Sequence, residues 1–125
     1  KGTVDASKAS GGATAVTVES GGKVTIEDGT FIGKAGNSCI YDAGGTIIIK
    51  GGLFKCEGPY NNGKYYVLNQ NNKTYGTITV TGGTFVNYDP RTGDDNLGGS
   101  FVPQGYKVVS ETKANGDIWY TVVAE

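Results

Sequence analysis

The sequence contains no histidine. That removes the commonest general base and the commonest metal ligand together. No metal or other cofactor is expected. Proline is scarce, with three residues, and cysteine scarcer, with two. Neither sign of charge dominates: 11 basic and 12 acidic residues leave a net −1. Nothing in that balance invites nucleic acid or an anionic membrane surface. No apolar run approaches the ~20 residues that span a bilayer, so membrane insertion is not expected. A signal peptide is also missing. The chain starts at Lys1 without methionine, however, and reads as a processed or excised piece, so missing targeting signals exclude nothing. Cys39 and Cys56 lie 17 residues apart and occupy different positions of the repeat described next. They read as two small buried thiols, ahead of a disulfide or a reactive thiol.

What the sequence has in abundance is glycine, 22 of 125 residues, well over twice the average share of about 7%. With it come many Thr, Val, Ile and Tyr, the composition of short strands and tight turns. No segment shows a convincing amphipathic helical period. The glycines fall in a pattern. Gly44-Gly45-Thr46-Ile47-Ile48-Ile49-Lys50-Gly51-Gly52-Leu53-Phe54 has an upstream copy, Gly21-Gly22-Lys23-Val24-Thr25-Ile26-Glu27-Asp28-Gly29-Thr30-Phe31. It has a downstream copy in Tyr75-Gly76-Thr77-Ile78-Thr79-Val80-Thr81-Gly82-Gly83-Thr84-Phe85. The phenylalanines at 31, 54 and 85 are spaced by 23 and then 31 residues. A period of this size marks a repeat architecture, because one unit cannot bury its apolar face alone. The second spacing is longer by 8, which reads as one repeat carrying an insertion within residues 58–74.

Inside each repeat the period is 2. Val24 and Ile26, Ile47 and Ile49, and Ile78 and Val80 each fall on one face of a strand. A glycine pair, or Asp28-Gly29, then supplies a sharp bend. Thr30-Phe31, Leu53-Phe54 and Thr84-Phe85 open a second strand with an inward ring. Ser38-Cys39-Ile40-Tyr41 and Tyr65-Tyr66-Val67-Leu68 form a third. Three short strands in about 23 residues describe one turn of a parallel β-helix, each strand pairing with its copy in the next. Residues 1–20 read as an imperfect opening turn, with Gly2-Thr3-Val4-Asp5-Ala6 resembling Gly76-Thr77-Ile78-Thr79-Val80. An antiparallel β-sandwich is the alternative, but sandwich strands need not repeat Gly-Gly and Phe at fixed offsets.

From Tyr88 to Ser100 the pattern gives way to loop chemistry. Tyr106 to Val123 then reads as an antiparallel hairpin turning at Asn115-Gly116. Its expected task is to cover the open end of the stack, with Trp119 sealing the core. The fold expected is therefore all-β: a short parallel β-helix of about three to four coils over residues 1–100, with an inserted loop around 58–74. A C-terminal β-hairpin cap follows over residues 101–125.

The units Gly82-Gly83-Thr84-Phe85 and Gly29-Thr30-Phe31 resemble the Gly-Gly-Thr-Phe repeats of pectin-lyase-like right-handed β-helix proteins. These are surface and adhesin-like proteins of gut bacteria and their phages. The tail from Phe101 to Val109 and from Gly116 to Val123 resembles the short ending such arrays carry. The resemblance covers nearly the whole chain. It implies a right-handed β-helix and an extracellular setting, on a bacterial cell surface or a phage virion surface. It hands over no catalytic residues.

The best candidate for a site is the inserted tract. Tyr60, Tyr66 and Tyr75 can stack on the C–H faces of sugars, while Asn61, Asn62, Asn69, Asn71 and Asn72 can both donate to and accept from hydroxyls. Tyr65 could serve in place of Tyr66, but strand alternation allows only one of the two to face outward. The competing reading is a solvated loop in which Asn supplies turns and Tyr packs on the wall. Asp89, Asp94 and Asp95 with Asn96 offer oxygens to calcium, but their spacing matches no calcium loop, and a plain acidic loop is the better reading. Glycan cleavage needs two facing carboxylates. Glu27 and Asp28 are adjacent on a strand, and Asp42 and Glu57 fall at different repeat positions, so no enzyme is expected. Asn72-Lys73-Thr74 fits a glycosylation acceptor and is given no weight in a bacterial or phage setting. The function expected is a non-enzymatic, adhesin-like surface module that binds a glycan or host-surface receptor weakly. The alternatives are a virion structural protein, as a capsid-decoration or fibre domain, and a polysaccharide-active enzyme. A homo-oligomer or a capsid partner belongs to the second of these.

Overall fold

A computed structural model describes residues 2–71, 73–93 and 99–125. Among them the regular structure is strand throughout. An opening pair, β1 (Thr3–Asp5) and β2 (Val16–Glu19), precedes the repeats. The first full repeat holds β3 (Lys23–Ile26), β4 (Thr30–Gly33) and β5 (Ile40–Ala43). The second holds β6 (Thr46–Ile49), β7 (Leu53–Cys56) and β8 (Leu68–Gln70). The third holds β9 (Thr77–Val80) and β10 (Thr84–Val86), and a hairpin of β11 (Tyr106–Thr112) and β12 (Ile118–Ala124) ends the chain.

Each repeat strand pairs in parallel with its copy one repeat on. The result is three stacked sheets, β3-β6-β9, β2-β5-β8 and β1-β4-β7-β10-β12-β11. This arrangement is compatible with a β-solenoid and not with the antiparallel sandwich. The registers are those the repeat dictates: Ile47 pairs with Val24 and Ile78, and Ile49 with Ile26 and Val80. Phe31, Phe54 and Phe85 form one column, with successive ring centroids 5.0 Å apart and planes within 7° and 13° of parallel. Phe54 and Phe85 are fully buried.

The glycine pairs serve two separate needs. Gly82 sits so close to the repeat before it that a Cβ there would lie 2.1 Å from the Lys50 carbonyl oxygen. Gly83, next in the chain, has φ +94°, which L side chains rarely adopt. One glycine permits the close stacking and the other permits the bend.

Four expectations are corrected. β1 pairs with β4, so Val4 takes the phenylalanine position opposite Phe31 rather than that of Ile78. In the third strand, Ile40 pairs with Leu68 instead of Val67, a shift of one residue. The eight extra residues are divided. From Phe to the next strand start, Phe31 to Ile40 and Phe54 to Leu68, five residues are gained. From Ile40 to Thr46 against Leu68 to Thr77, three more are gained. Finally, Trp119 does not seal the core. β12 pairs antiparallel with β10, opposing Trp119 to Val86 and Tyr120 to Phe85. Phe85 faces inward, so Tyr120 and Val122 share the inner face, and Trp119 is half-buried on the outer one beneath Lys113 Nζ, 4.3 Å from its ring. Val122, Phe101 and Tyr88 close the core instead.

The hairpin itself forms as expected, with a turn over residues 113–117 held by Lys113 N–H to Asp117 O at 2.7 Å. It extends only the six-stranded sheet. The β9 edge is met by the chain just ahead of the hairpin, Val80 N–H donating to Phe101 O at 2.9 Å. At the opposite end β1, β2 and β3 are edge strands, and Val4 is 42% exposed.

A tyrosine-lined candidate binding cleft

The first inserted segment, between β7 and β8, folds on itself. Tyr60 N–H donates to Lys64 O at 2.8 Å, Gly63 N–H to Tyr60 O at 2.9 Å, and Lys64 N–H to Asn62 Oδ1 at 2.9 Å. Gly63, at φ +82°, allows the reversal. The turn is anchored through Tyr60, whose hydroxyl lies 2.8 Å from Ser38 Oγ and accepts from Asn69 Nδ2 at 2.9 Å. The Tyr60 ring meets Tyr66 edge-on, centroids 4.9 Å apart at 71°. Tyr60 thus holds the loop and orients Tyr66.

After β10 the chain turns at Asn87, a non-glycine residue at φ +57°. Asn87 ties this turn to the hairpin. Its Oδ1 accepts from Ile118 N–H at 2.9 Å, its Nδ2 donates to Asp117 Oδ1 at 3.0 Å, and its own N–H donates to Ile118 O at 2.7 Å. That clamp fixes β12 in register and so places Tyr120. Tyr88 is buried, its hydroxyl donating to Gly93 O at 2.7 Å.

These segments enclose a cleft of about 470 Å³ lined by Gly63, Lys64, Tyr65, Tyr66, Asn87, Tyr88, Asp89, Thr92 and Tyr120. The volume falls in the range of small-ligand sites. Three parts of the chain contribute: the first insertion, the loop after β10, and the inner face of β12. The hydroxyls of Tyr65 and Tyr120 and the Lys64 ammonium have no hydrogen-bond partner among the described residues. Among the described residues the cleft's one carboxylate, Asp89, is already engaged. It accepts from Arg91 N–H at 2.9 Å and from the guanidinium at 2.7 Å (Nη2) and 3.0 Å (Nε). Partial burial pushes the Asp89 carboxyl up, but the Arg91 hydrogen bonds and charge outweigh it and hold the group below its ordinary value.

The expected site residues are scattered by this geometry. Tyr66 lines the cleft, and Asn62 stands behind it, its Nδ2 3.5 Å from the Tyr66 hydroxyl. Asn61 is exposed on the turn without lining the cleft, and Tyr60 supports it from below. Asn69 is buried, donating to Tyr60 and accepting from Gln70 N–H at 2.9 Å. Asn71 and Tyr75 belong to the second insertion, beyond β8. There Asn71 Oδ1 accepts from Lys73 N–H at 2.8 Å and closes a turn, and Tyr75 is 38% exposed, away from the cleft. Asn72, Asp94, Asp95 and Asn96 lie outside the described residues. Tyr65 and Tyr66 both line the cleft, because the segment before Val67 is not a regular strand and strand alternation does not apply. Asn87, Asp89, Thr92 and Tyr120 are additions that the repeat pattern does not indicate. A positive-φ Asn following a strand would have been the one local signal.

A second cleft, about 400 Å³, lies on the outer face of the six-stranded sheet between Leu53, Lys55, Val86, Trp119 and the hairpin turn. Lys113 fills part of it by covering Trp119 and pairing with Glu111 at 3.0 Å. In the tyrosine cleft the Tyr65 and Tyr120 hydroxyls and the Lys64 ammonium keep no such partner among the described residues. Compared with known proteins, the chain matches no family model, no curated protein and no solved structure.

Proposed function

We propose that the chain is a short right-handed parallel β-helix, its six-stranded sheet ended by the hairpin, that serves as a non-enzymatic, adhesin-like surface module. It binds a glycan weakly in the tyrosine cleft. One observation carries this reading. Tyrosines from separate segments converge on one cleft, and two of their hydroxyls and one ammonium have no hydrogen-bond partner there among the described residues. Aromatic faces take the apolar faces of sugars, and free phenols and an ammonium take their hydroxyls. Hydrolysis of a glycosidic bond asks for two carboxylates, whereas among the described residues the cleft has only Asp89, held by Arg91. That chemistry supports a non-enzymatic role. The extracellular setting, on a bacterial or virion surface, rests on the sequence resemblance.

Binding is weak per module and strengthened by display in several copies. With a net charge of −1 it varies little with salt. The test is a glycan array probed with a multivalent form, beside Tyr120→Ala and Tyr75→Ala. Signals that Tyr120→Ala abolishes and Tyr75→Ala preserves support the reading. No signal, or signals indifferent to Tyr120, overturns it. A second reading, a capsid-decoration or fibre domain, is favoured by the outer sheet face, where Leu53, Val86 and Trp119 adjoin Val109, itself 46% exposed. Stable self-association or capsid binding without any glycan signal would move the assignment there.

A further inference from the structure

Cys39 and Cys56 stand at different positions of their repeats, yet the stack brings them to one corner. Cys56 pairs in register with Gly33. Gly33 in turn packs on Cys39: a Cβ there would lie 2.9 Å from the Cys39 Cα and 3.0 Å from its nitrogen. The sulfurs follow the backbones. Cys39 Sγ reaches 3.2 Å from Phe31 O, on the strand paired with that of Cys56. Cys56 Sγ reaches 3.1 Å from Asn37 O, two residues before Cys39. The Cys56 thiol therefore points at backbone two residues from Cys39, and the Cys39 thiol at the strand on which that of Cys56 is stacked, two positions from its register partner Gly33. Both are buried and both belong to the core cluster.

We infer that Cys39 and Cys56 are a cross-linkable pair, and that a small-molecule disulfide converts them to a bond joining two adjacent repeats. The exchange balances in two steps. One cysteine thiolate attacks a sulfur of the oxidant, forming a mixed disulfide and expelling one small thiolate. The second cysteine thiolate attacks the protein sulfur of that mixed disulfide, forming the Cys39–Cys56 bond and expelling the other small thiolate. The two protons end on the two expelled thiols, and the oxidant takes both electrons.

The folded state resists this reaction. Burial pushes the Cys56 thiol up to about 12 and the Cys39 thiol higher still, with the other sulfur adding to the rise. Thiolate is then rare and access is closed. Exchange belongs to the chain while it folds, or while this corner opens. Once formed, the bond lies just ahead of the insertion that carries Tyr65 and Tyr66, so it steadies the base of the cleft wall. The cross-link does not depend on the glycan reading.

The test is unfolding followed by refolding in a mixture of oxidised and reduced glutathione, beside a sample kept in excess reductant. Both are then denatured, alkylated and weighed. The oxidised monomer should take up no alkyl group and be lighter by two hydrogen atoms, and its digest should contain a peptide joining Cys39 to Cys56. Its thermal midpoint should exceed that of the reduced protein by roughly 5–15 °C, as expected for a loop of this length. Cys56→Ala, treated alike, should keep one alkylatable thiol. If that variant does not fold, the two wild-type samples decide alone. Two alkyl groups on the oxidised monomer, cross-links only between molecules, or a lowered midpoint would overturn the inference.

Discussion

The repeat stack and the tyrosine cleft are built on opposite principles. In the stack each residue answers to a copy of itself: Phe31 to Phe54 to Phe85, Ile26 to Ile49 to Val80. In the cleft no residue has a copy, and Tyr66, Asn87 and Tyr120 come from three unrelated segments. The stack therefore holds its stability in columns that tolerate little change. The cleft rides on it, and its residues other than the Asn87 clamp and the core residue Tyr88 can be altered at small cost to folding. This is the division between scaffold and loop on which binding surfaces depend.

That contrast can be broken most forcefully from the stack side. Phe54→Ala removes the middle ring of the column, which is closed above and below and cannot collapse around the cavity. A loss of about 3–5 kcal/mol in denaturant-derived stability is expected. A loss below about 1 kcal/mol would mean the column is not the core. Gly82→Ala comes next. Its methyl would meet the Lys50 carbonyl at 2.1 Å, so two repeats must separate. About 1–3 kcal/mol should be lost, while Gly63→Ala, with open space around it but φ +82°, should cost less.

The cleft side should behave in reverse. Tyr120→Ala is expected to change stability by under about 1 kcal/mol, since the residue is only half-buried. It should weaken glycan binding at least about tenfold, the usual scale for losing an aromatic anchor. Isothermal titration beside a melt separates the two effects. The smallest effect belongs to Asp89. Its folded value lies below its ordinary one, so its contribution is complete above about pH 4 and fades as pH falls through the lower, folded value. Asp89→Asn should lower stability at pH 7 by under about 1 kcal/mol, because Arg91 is solvent-exposed. It should leave stability unchanged where the carboxyl of the parent protein is already protonated. A difference that persists at pH 2 would assign the effect to packing.

How far the sequence could be read divides along the same line. The parallel pairing, the phenylalanine column and the hairpin were legible because each is stated more than once or rests on a strong local signal. The two spacings of 23 and 31 residues count eight extra positions but cannot say where they fall. Five of them lie before β8 and three after, which separates Tyr66 from Tyr75. The face taken by Trp119 was equally closed to inspection. Trp119, Thr121 and Val123 alternate with Ile118, Tyr120 and Val122, and both sets are apolar enough to face inward. Only the pairing of Tyr120 with Phe85 decides, and the Asn87 clamp that fixes it spans 31 residues of sequence. The Asp42 carboxylate shows the same dependence on context. It looked like a stray acid, but it is buried and its Oδ1 accepts from Gly44 and Gly45 N–H at 2.9 and 2.7 Å, pinning the bend before β6.

The antiparallel strand that ends the stack also sets the rules for assembly. β10 offers its far edge to β12, which runs the other way, and β11, the outermost strand, then carries Lys107 and Glu111. A further parallel repeat finds no matching strand direction there, and the charges discourage casual pairing. The edges of β1, β2 and β3 keep the strand direction of the stack, so only on that side does its own pattern of parallel pairing continue.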